Sequence, residues 1–146
     1  LGIPSLRFNF RGVGQSAGEF DAGIGESEDM LEVAEQVKAA KPNAKFIFAG
    51  FSFGSFVAYR AAAQHAHELL ITVAPPVNHF DFAAFEVDPN PWVLAQGDMD
   101  EVIPPNLVFE FAKARNIEAL EFEQTGHFFH GKLMALRDAL HARIMD

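Results

Sequence analysis

The pentapeptide Gly50-Phe51-Ser52-Phe53-Gly54 constrains this chain more than any other stretch, because of what flanks it. The apolar run Lys45-Phe46-Ile47-Phe48-Ala49 precedes it, and Phe46 to Ala49 predict a buried strand. The Ala-rich segment from Phe56 to His67 predicts a helix. A serine at the tip of so tight a strand-to-helix turn is held in strained backbone dihedrals. Its neighbours two positions away are expected to lack side chains so that strand and helix can approach. Ser52 Oγ would then stand above the sheet, with the Phe53 N–H aimed beside it from the helix N-terminus.

The rest of the chain alternates strands and helices. Ser5-Leu6-Arg7-Phe8-Asn9-Phe10 alternates with period two and predicts a strand, followed by a Gly-punctuated loop from Arg11 to Gly25. A helix begins near Glu26-Ser27-Glu28-Asp29, whose carboxylates suit the positive end of its dipole, and Lys41-Pro42 ends it. After the Ser52 turn come a strand at Leu69–Ala74, a Phe-rich connection from Val77 to Asn90, and a strand at Trp92–Gln96. Pro104-Pro105 open a helix, with Pro in the first turn where a missing N–H costs least. Ile117–Phe122 alternate as an edge strand would. Leu133, Leu136, Leu140 and Ile144 stripe a last amphipathic helix. Such a pattern predicts one α/β domain over residues 1–146, a mainly parallel sheet with helices on both faces. Ligands of such sheets bind beyond the carboxyl ends of the strands.

Three chemically capable side chains are expected at that edge. Ser52, then Asp98 or Asp100, then His127 each follow a predicted strand. A serine hydroxyl needs a base to take its proton, and an imidazole needs a carboxylate to fix its tautomer and stabilise its cation. Asp100 is preferred to Asp98, which lies inside the turn closer to Gly97, by a narrow margin in local sequence. Both aspartates also fit as plain turn carboxylates. His127 and His130 are three apart, yet no third ligand of convincing spacing accompanies them, so no metal is expected. His65 and His67 are expected to face solvent, and His79 suits a loop or a pocket wall.

Composition closes off other classes. With 146 residues, about half of them apolar and sixteen of them Phe, the chain can bury a core. A net charge of −9 argues against nucleic acid and against an anionic membrane surface. The absence of cysteine removes disulfides, thiolate nucleophiles and Cys-ligated zinc. No apolar run reaches membrane-spanning length, and a cytoplasmic protein is expected. Gly12-Val13-Gly14-Gln15-Ser16-Ala17 matches a dinucleotide fingerprint, with Glu32 at ribose distance. Gly18-Glu19-Phe20-Asp21-Ala22-Gly23 cannot readily open the helix that the fingerprint needs, so no cofactor is expected.

The assembled blocks resemble small capless bacterial serine hydrolases of the α/β-hydrolase superfamily, near the dienelactone-hydrolase-like esterases. The resemblance rests on Arg7 to Gly14 with Ser16 and Gly18, on Gly50 to Gly54, on Gly97 to Pro104, and on His127-Phe128-Phe129-His130-Gly131. It implies Ser52 as nucleophile, Asp100 as acid, His127 as base and Phe53 N–H as an oxyanion donor. It also implies small carboxylic esters as substrates, an acyl-enzyme intermediate and an open, lidless site. A non-catalytic scaffold that keeps the turn for folding reasons is the alternative. The sheet of that family begins with strands preceding Ser5, one of them lying between the first two strands predicted here. A loop among them supplies a second oxyanion N–H. The chain is therefore expected to be the C-terminal portion of a longer polypeptide. The sequence sets no oligomeric state.

Overall fold

A computed structural model describes residues 3–145. The elements in order are α1 (Ile24–Ala40), β1 (Ile47–Phe51), α2 (Phe53–Ala63), β2 (Leu69–Val73), β3 (Trp92–Gly97), α3 (Pro105–Ala114), β4 (Glu118–Phe122) and α4 (Leu133–Ile144). The four strands are parallel and lie side by side in chain order.

Register divides the strand side chains between two cores. Phe48, Leu70 and Trp92 align across β1, β2 and β3. They pack on Ala58, Tyr59, Ala61 and Ala62 of α2 and on Ala34 of α1. On the other face, Ile71 and Val93 pair in one row, and Val73, Ala95 and Leu120 in the next. Leu136, Leu140 and Ile144 of α4 close over that face together with Phe129. Helices therefore cover both sides, and β2 and β3 are buried along their whole length. That explains why they are apolar but for Thr72 and Gln96, since a central parallel strand has no solvent face. β4 alternates in exposure, as the edge position dictates. Each large side chain buried here contributes roughly 1.5–3 kcal/mol. No helix among the described residues is long and apolar enough to cross a membrane.

Three expectations need correcting. Ser5–Phe10 forms no strand. Alternation survives only at its end, with Phe8 and Phe10 half-buried and Asn9 exposed while Leu6 is exposed, and a strand needs a ladder partner. β1, at the sheet edge, pairs only with β2 among the described residues. The second correction concerns α2, which starts at Phe53 and ends at Ala63 rather than running from Phe56 to His67. The tight turn at Ser52 delivers the chain directly into helix, overriding the modest helix propensity of Phe. Gln64 closes α2, and the chain then turns so that Glu68 N–H reaches Phe46 O at 2.7 Å and enters β2.

The third concerns His65 and His67, which are half-buried and not solvent-facing. The His65 ring packs edge-on to Phe46 and Phe48, and Nε2 lies 2.9 Å from Glu35 of α1. An imidazole has enough apolar area to cover the end of a core, and here it does so.

The glycine-rich loop before α1 makes tight turns, and α1 opens only at Ile24. No helix start follows Ala17, so the dinucleotide fingerprint lacks its phosphate-binding end. Glu26 instead caps α1, its carboxylate accepting the N–H groups of Gly23 and Asp21, both at 3.0 Å. Arg11 clamps Asp29 through two bonds of 2.8 Å and so ties the loop to the helix. Glu32 lies exposed on α1.

Candidate active site

Ser52 sits between β1 and α2 with φ 53° and ψ −122°, a backbone conformation that side chains rarely tolerate. Its N–H bonds Val73 O at 2.8 Å, and its carbonyl accepts both the N–H and the hydroxyl of Ser55, at 2.9 and 2.6 Å. These bonds hold the turn shut. A Cβ on Gly50 would lie 2.0 Å from Gly54 O, so the first glycine is required by the close approach of strand and helix. The second is not. A Cβ on Gly54 would meet only the Phe10 ring, at 3.5 Å, which is ordinary contact. Phe53 is the first residue of α2, so its N–H precedes the intrahelical ladder and is left facing out beside Ser52.

The turn after β3 carries the carboxylates. Asp100 is 7% exposed and accepts four hydrogen bonds. Val102 and Ile103 N–H reach its Oδ1 at 2.8 and 2.7 Å; Gln96 Nε2 and His127 Nδ1 reach its Oδ2 at 3.1 and 2.8 Å. Burial pushes the carboxyl up, but the bonds from Ile103, His127, Val102 and Gln96 outweigh it and hold its pKa below the usual carboxylate range. Asp98 faces elsewhere, its Oδ1 accepting Thr125 N–H at 3.4 Å.

The loop after β4 carries the imidazole. The turn after β3 and this loop are stitched together: Met99 N–H donates to Thr125 O at 3.0 Å, and Asp98 N–H to Phe122 O at 3.0 Å. A Cβ on Gly97 would lie 2.2 Å from Thr125 O, so only glycine allows the approach. Glu101 accepts the backbone N–H of His127 at 3.3 Å. The His127 ring is buried, with Nε2 3.1 Å from Ser52 Oγ. An ionised Asp100 can only accept, so the ring proton belongs on Nδ1 and the Nε2 lone pair faces the serine hydroxyl. The arrangement can therefore draw a proton from Ser52 and hold the resulting imidazolium beside a fixed negative charge.

Aromatic rings frame this chain of contacts. Phe51 and Phe128 touch the His127 ring at centroid distances of 5.0 and 4.9 Å, and both are substantially exposed. On the other side Phe10, Phe20 and Phe80 surround Phe53. The connection from Val77 to Asn90 has no helix or strand, and Arg115 holds it to α3 by bonding Phe82 O and Asp88. His79 is exposed in that connection, and Phe82 is core.

A cavity of about 530 Å³ lies at the opposite, amino end of the sheet, lined by Ile47, Leu69, Val93, Glu118 and Ile144. None of Ser52, Asp100 and His127 borders it, and the hydrogen-bonded trio is the better guide to chemistry. Among the described residues no three His, Asp or Glu side chains gather closely enough to hold a metal ion.

Ser55, Gln96 and Glu101 were not singled out in the sequence. A hydroxyl three residues past Ser52 is a weak signal for Ser55; for the other two nothing local distinguishes a buried amide or a latching carboxylate.

A parallel sheet with helices on both faces, a strained serine between strand and helix, and an imidazole at the carboxyl edge define a member of the hydrolase-type α/β folds. The profile of the alpha/beta hydrolase fold family matches residues 4–83, more than half of the chain, and the chain belongs to that family. It is similar to a serine hydrolase without lid from Xanthomonas campestris: 43% identity and TM-score 0.88, over 93% of this chain and 63% of that one. It is also similar to an alpha-beta serine hydrolase homologue from Coxiella burnetii, at 40% identity and TM-score 0.86, over 92% of this chain and 65% of that one. An uncharacterized protein of Rickettsia prowazekii is 36% identical over 107 residues, which is 70% of this chain and 45% of that protein. The chain thus spans less than two thirds of each of these relatives.

Proposed function

We propose that the protein is a serine hydrolase that cleaves small carboxylic esters through an acyl-enzyme intermediate. The observation that carries this reading is the unbroken run of contacts from Ser52 Oγ through His127 to Asp100, at 3.1 and 2.8 Å. Ser52 Oγ attacks the acyl carbon while its proton passes to His127 Nε2. The carbonyl oxygen gains the electron pair and takes a hydrogen bond from Phe53 N–H. As the pair returns, the acyl–alkoxy bond breaks, and the alcohol leaves with the proton from Nε2. Water then adds to the acyl-enzyme by the same route and frees the acid and Ser52. Asp100 keeps the imidazole in its working tautomer and stabilises its cation throughout.

The surroundings favour esters with a compact apolar part. Phe51 and Phe128 offer apolar surface next to the imidazole, while Asp98 and Glu101 set a negative field that disfavours anionic substrates. The Xanthomonas campestris relative lacks a lid, and the short Val77 to Asn90 connection suits an equally open site here.

The test is labelling with a fluorophosphonate probe alongside hydrolysis of short p-nitrophenyl esters, on wild type and Ser52→Ala. Labelling and turnover in the wild type, both lost in the variant, are expected. A folded wild type that neither labels nor turns over would instead make the chain a non-catalytic scaffold.

A further inference from the structure

Gln96 is the polar exception in an apolar row. Along β3, Trp92, Leu94 and Gln96 point to the same face, and all three are buried. Thr72, polar and buried on the neighbouring strand, is accounted for: its hydroxyl accepts the Trp92 indole N–H at 2.9 Å. Gln96 is fully buried, and its Oε1 has no partner. An unpaired buried acceptor destabilises, and an apolar side chain of this size would avoid that penalty.

What the amide gains is on its nitrogen side. Nε2 donates to Gly97 O at 2.9 Å and to Asp100 Oδ2 at 3.1 Å. Both neighbours are acceptors, so the reversed amide would set oxygen against oxygen, and the orientation is fixed. Asp100 Oδ2 is also the atom that receives His127 Nδ1–H.

Building on the function proposed above, we propose that Gln96 is the positioning residue of the acid–base pair. Its amide pins the plane of the Asp100 carboxylate and withdraws charge from the oxygen that the imidazole uses. Two consequences follow. The carboxylate presents one lone pair to His127 in a set direction, which holds Nε2 toward Ser52. The imidazolium is also stabilised less than an unclamped carboxylate would allow, so His127 releases its proton more readily to the leaving group. The other ionisable groups around the pair are Glu101, on His127 N–H, and Asp98, on Thr125 N–H.

The test compares wild type, Gln96→Met and Gln96→Leu by pH–rate profile, thermal midpoint and fluorophosphonate labelling. Gln96→Met removes the donor and the orphan acceptor together. It should lower kcat roughly tenfold to a hundredfold, the scale of a hydrogen bond to a charged group, with KM within about twofold. The acid limb should move up by roughly half a pH unit, because the freed carboxylate stabilises the imidazolium more. Should Gln96→Met fail to fold, Gln96→Leu, which also lacks the donor and adds no charge, gives the same reading. A purely structural Gln96 would lower the midpoint and leave the limb where it was, and that result overturns the assignment. A wild type that does not label at Ser52 overturns both this assignment and the proposed function. A labelled wild type with an unmoved limb in the variant overturns only the role of Gln96.

Discussion

His127 Nε2 stands 3.1 Å from Ser52 Oγ although 75 residues of chain separate them. The two belong to opposite edges of the sheet, Ser52 following β1 and His127 following β4. The loop after β4 therefore reaches back to the turn after β3, and the His127 side chain spans the rest of the way to Ser52. Such a crossing would be loose on its own. The bonds from Asp98, Met99, Asp100 and Glu101 to Thr125 and His127 give it a rigid footing.

Replacing the serine separates chemistry from strain. Ser52→Ala and Ser52→Gly should both lower ester hydrolysis by at least about a thousandfold. Only glycine relaxes a residue held at φ 53°, where strain of about 1–3 kcal/mol exceeds the backbone entropy that Gly adds. Ser52→Gly should thus be more stable than Ser52→Ala by about 1 kcal/mol in urea titrations. Equal midpoints would remove strain from the account of the turn.

The two aspartates after β3 should respond unequally. Asp100→Asn offers His127 an amide and favours the wrong tautomer, so kcat should drop by about ten-thousandfold. Asp98→Asn keeps an acceptor for a bond that is long already, and activity should stay within about threefold. Steady-state kinetics on the pair decide this; comparable losses would contradict it.

Acid should erode stability through Asp100 in a defined window. Its pKa is lowered in the folded state, so the group adds stability above the unfolded value, near 3.9, and loses it as pH falls through the lower folded value. Below about pH 5 the stability gap between wild type and Asp100→Asn should shrink as pH falls through about pH 4 and lower. Urea midpoints across that range provide the check, and a gap that widens toward low pH would reverse the sign.

The two glycines of the pentapeptide are not equivalent. Gly50→Ala drives a methyl into the backbone of Gly54 and should cost about 3 kcal/mol or prevent folding. Gly54→Ala meets only the Phe10 ring, lies in α2, and gains helix propensity of up to about 1 kcal/mol. Thermal midpoints of the two variants should therefore move in opposite directions.

Much of this architecture is visible in the sequence because central parallel strands must be mostly apolar, as Leu69–Val73 and Trp92–Gly97 are apart from Thr72 and Gln96. Turns at the carboxyl edge also need particular residues, as at Gly50 and Gly97. Ser5–Phe10 shows where pattern stops short. Its alternation describes a side-chain preference, whereas a strand exists only with a neighbour to bond. The start of α2 at Phe53 was hidden because turn geometry, not propensity, sets it. His65 and His67 look like surface residues until Phe46 and Phe48 are placed beneath them. Gln96 stayed hidden because its partners, Gly97 O and the Asp100 carboxylate, come together only when the turn closes.

The stitching of the turn after β3 to the loop after β4 divides the machinery into two bodies. Carboxylate and imidazole ride on one of them, and the hydroxyl rides alone on the other. A shift of one against the other would lengthen the 3.1 Å contact between Ser52 and His127 and leave the 2.8 Å contact between His127 and Asp100 as it is.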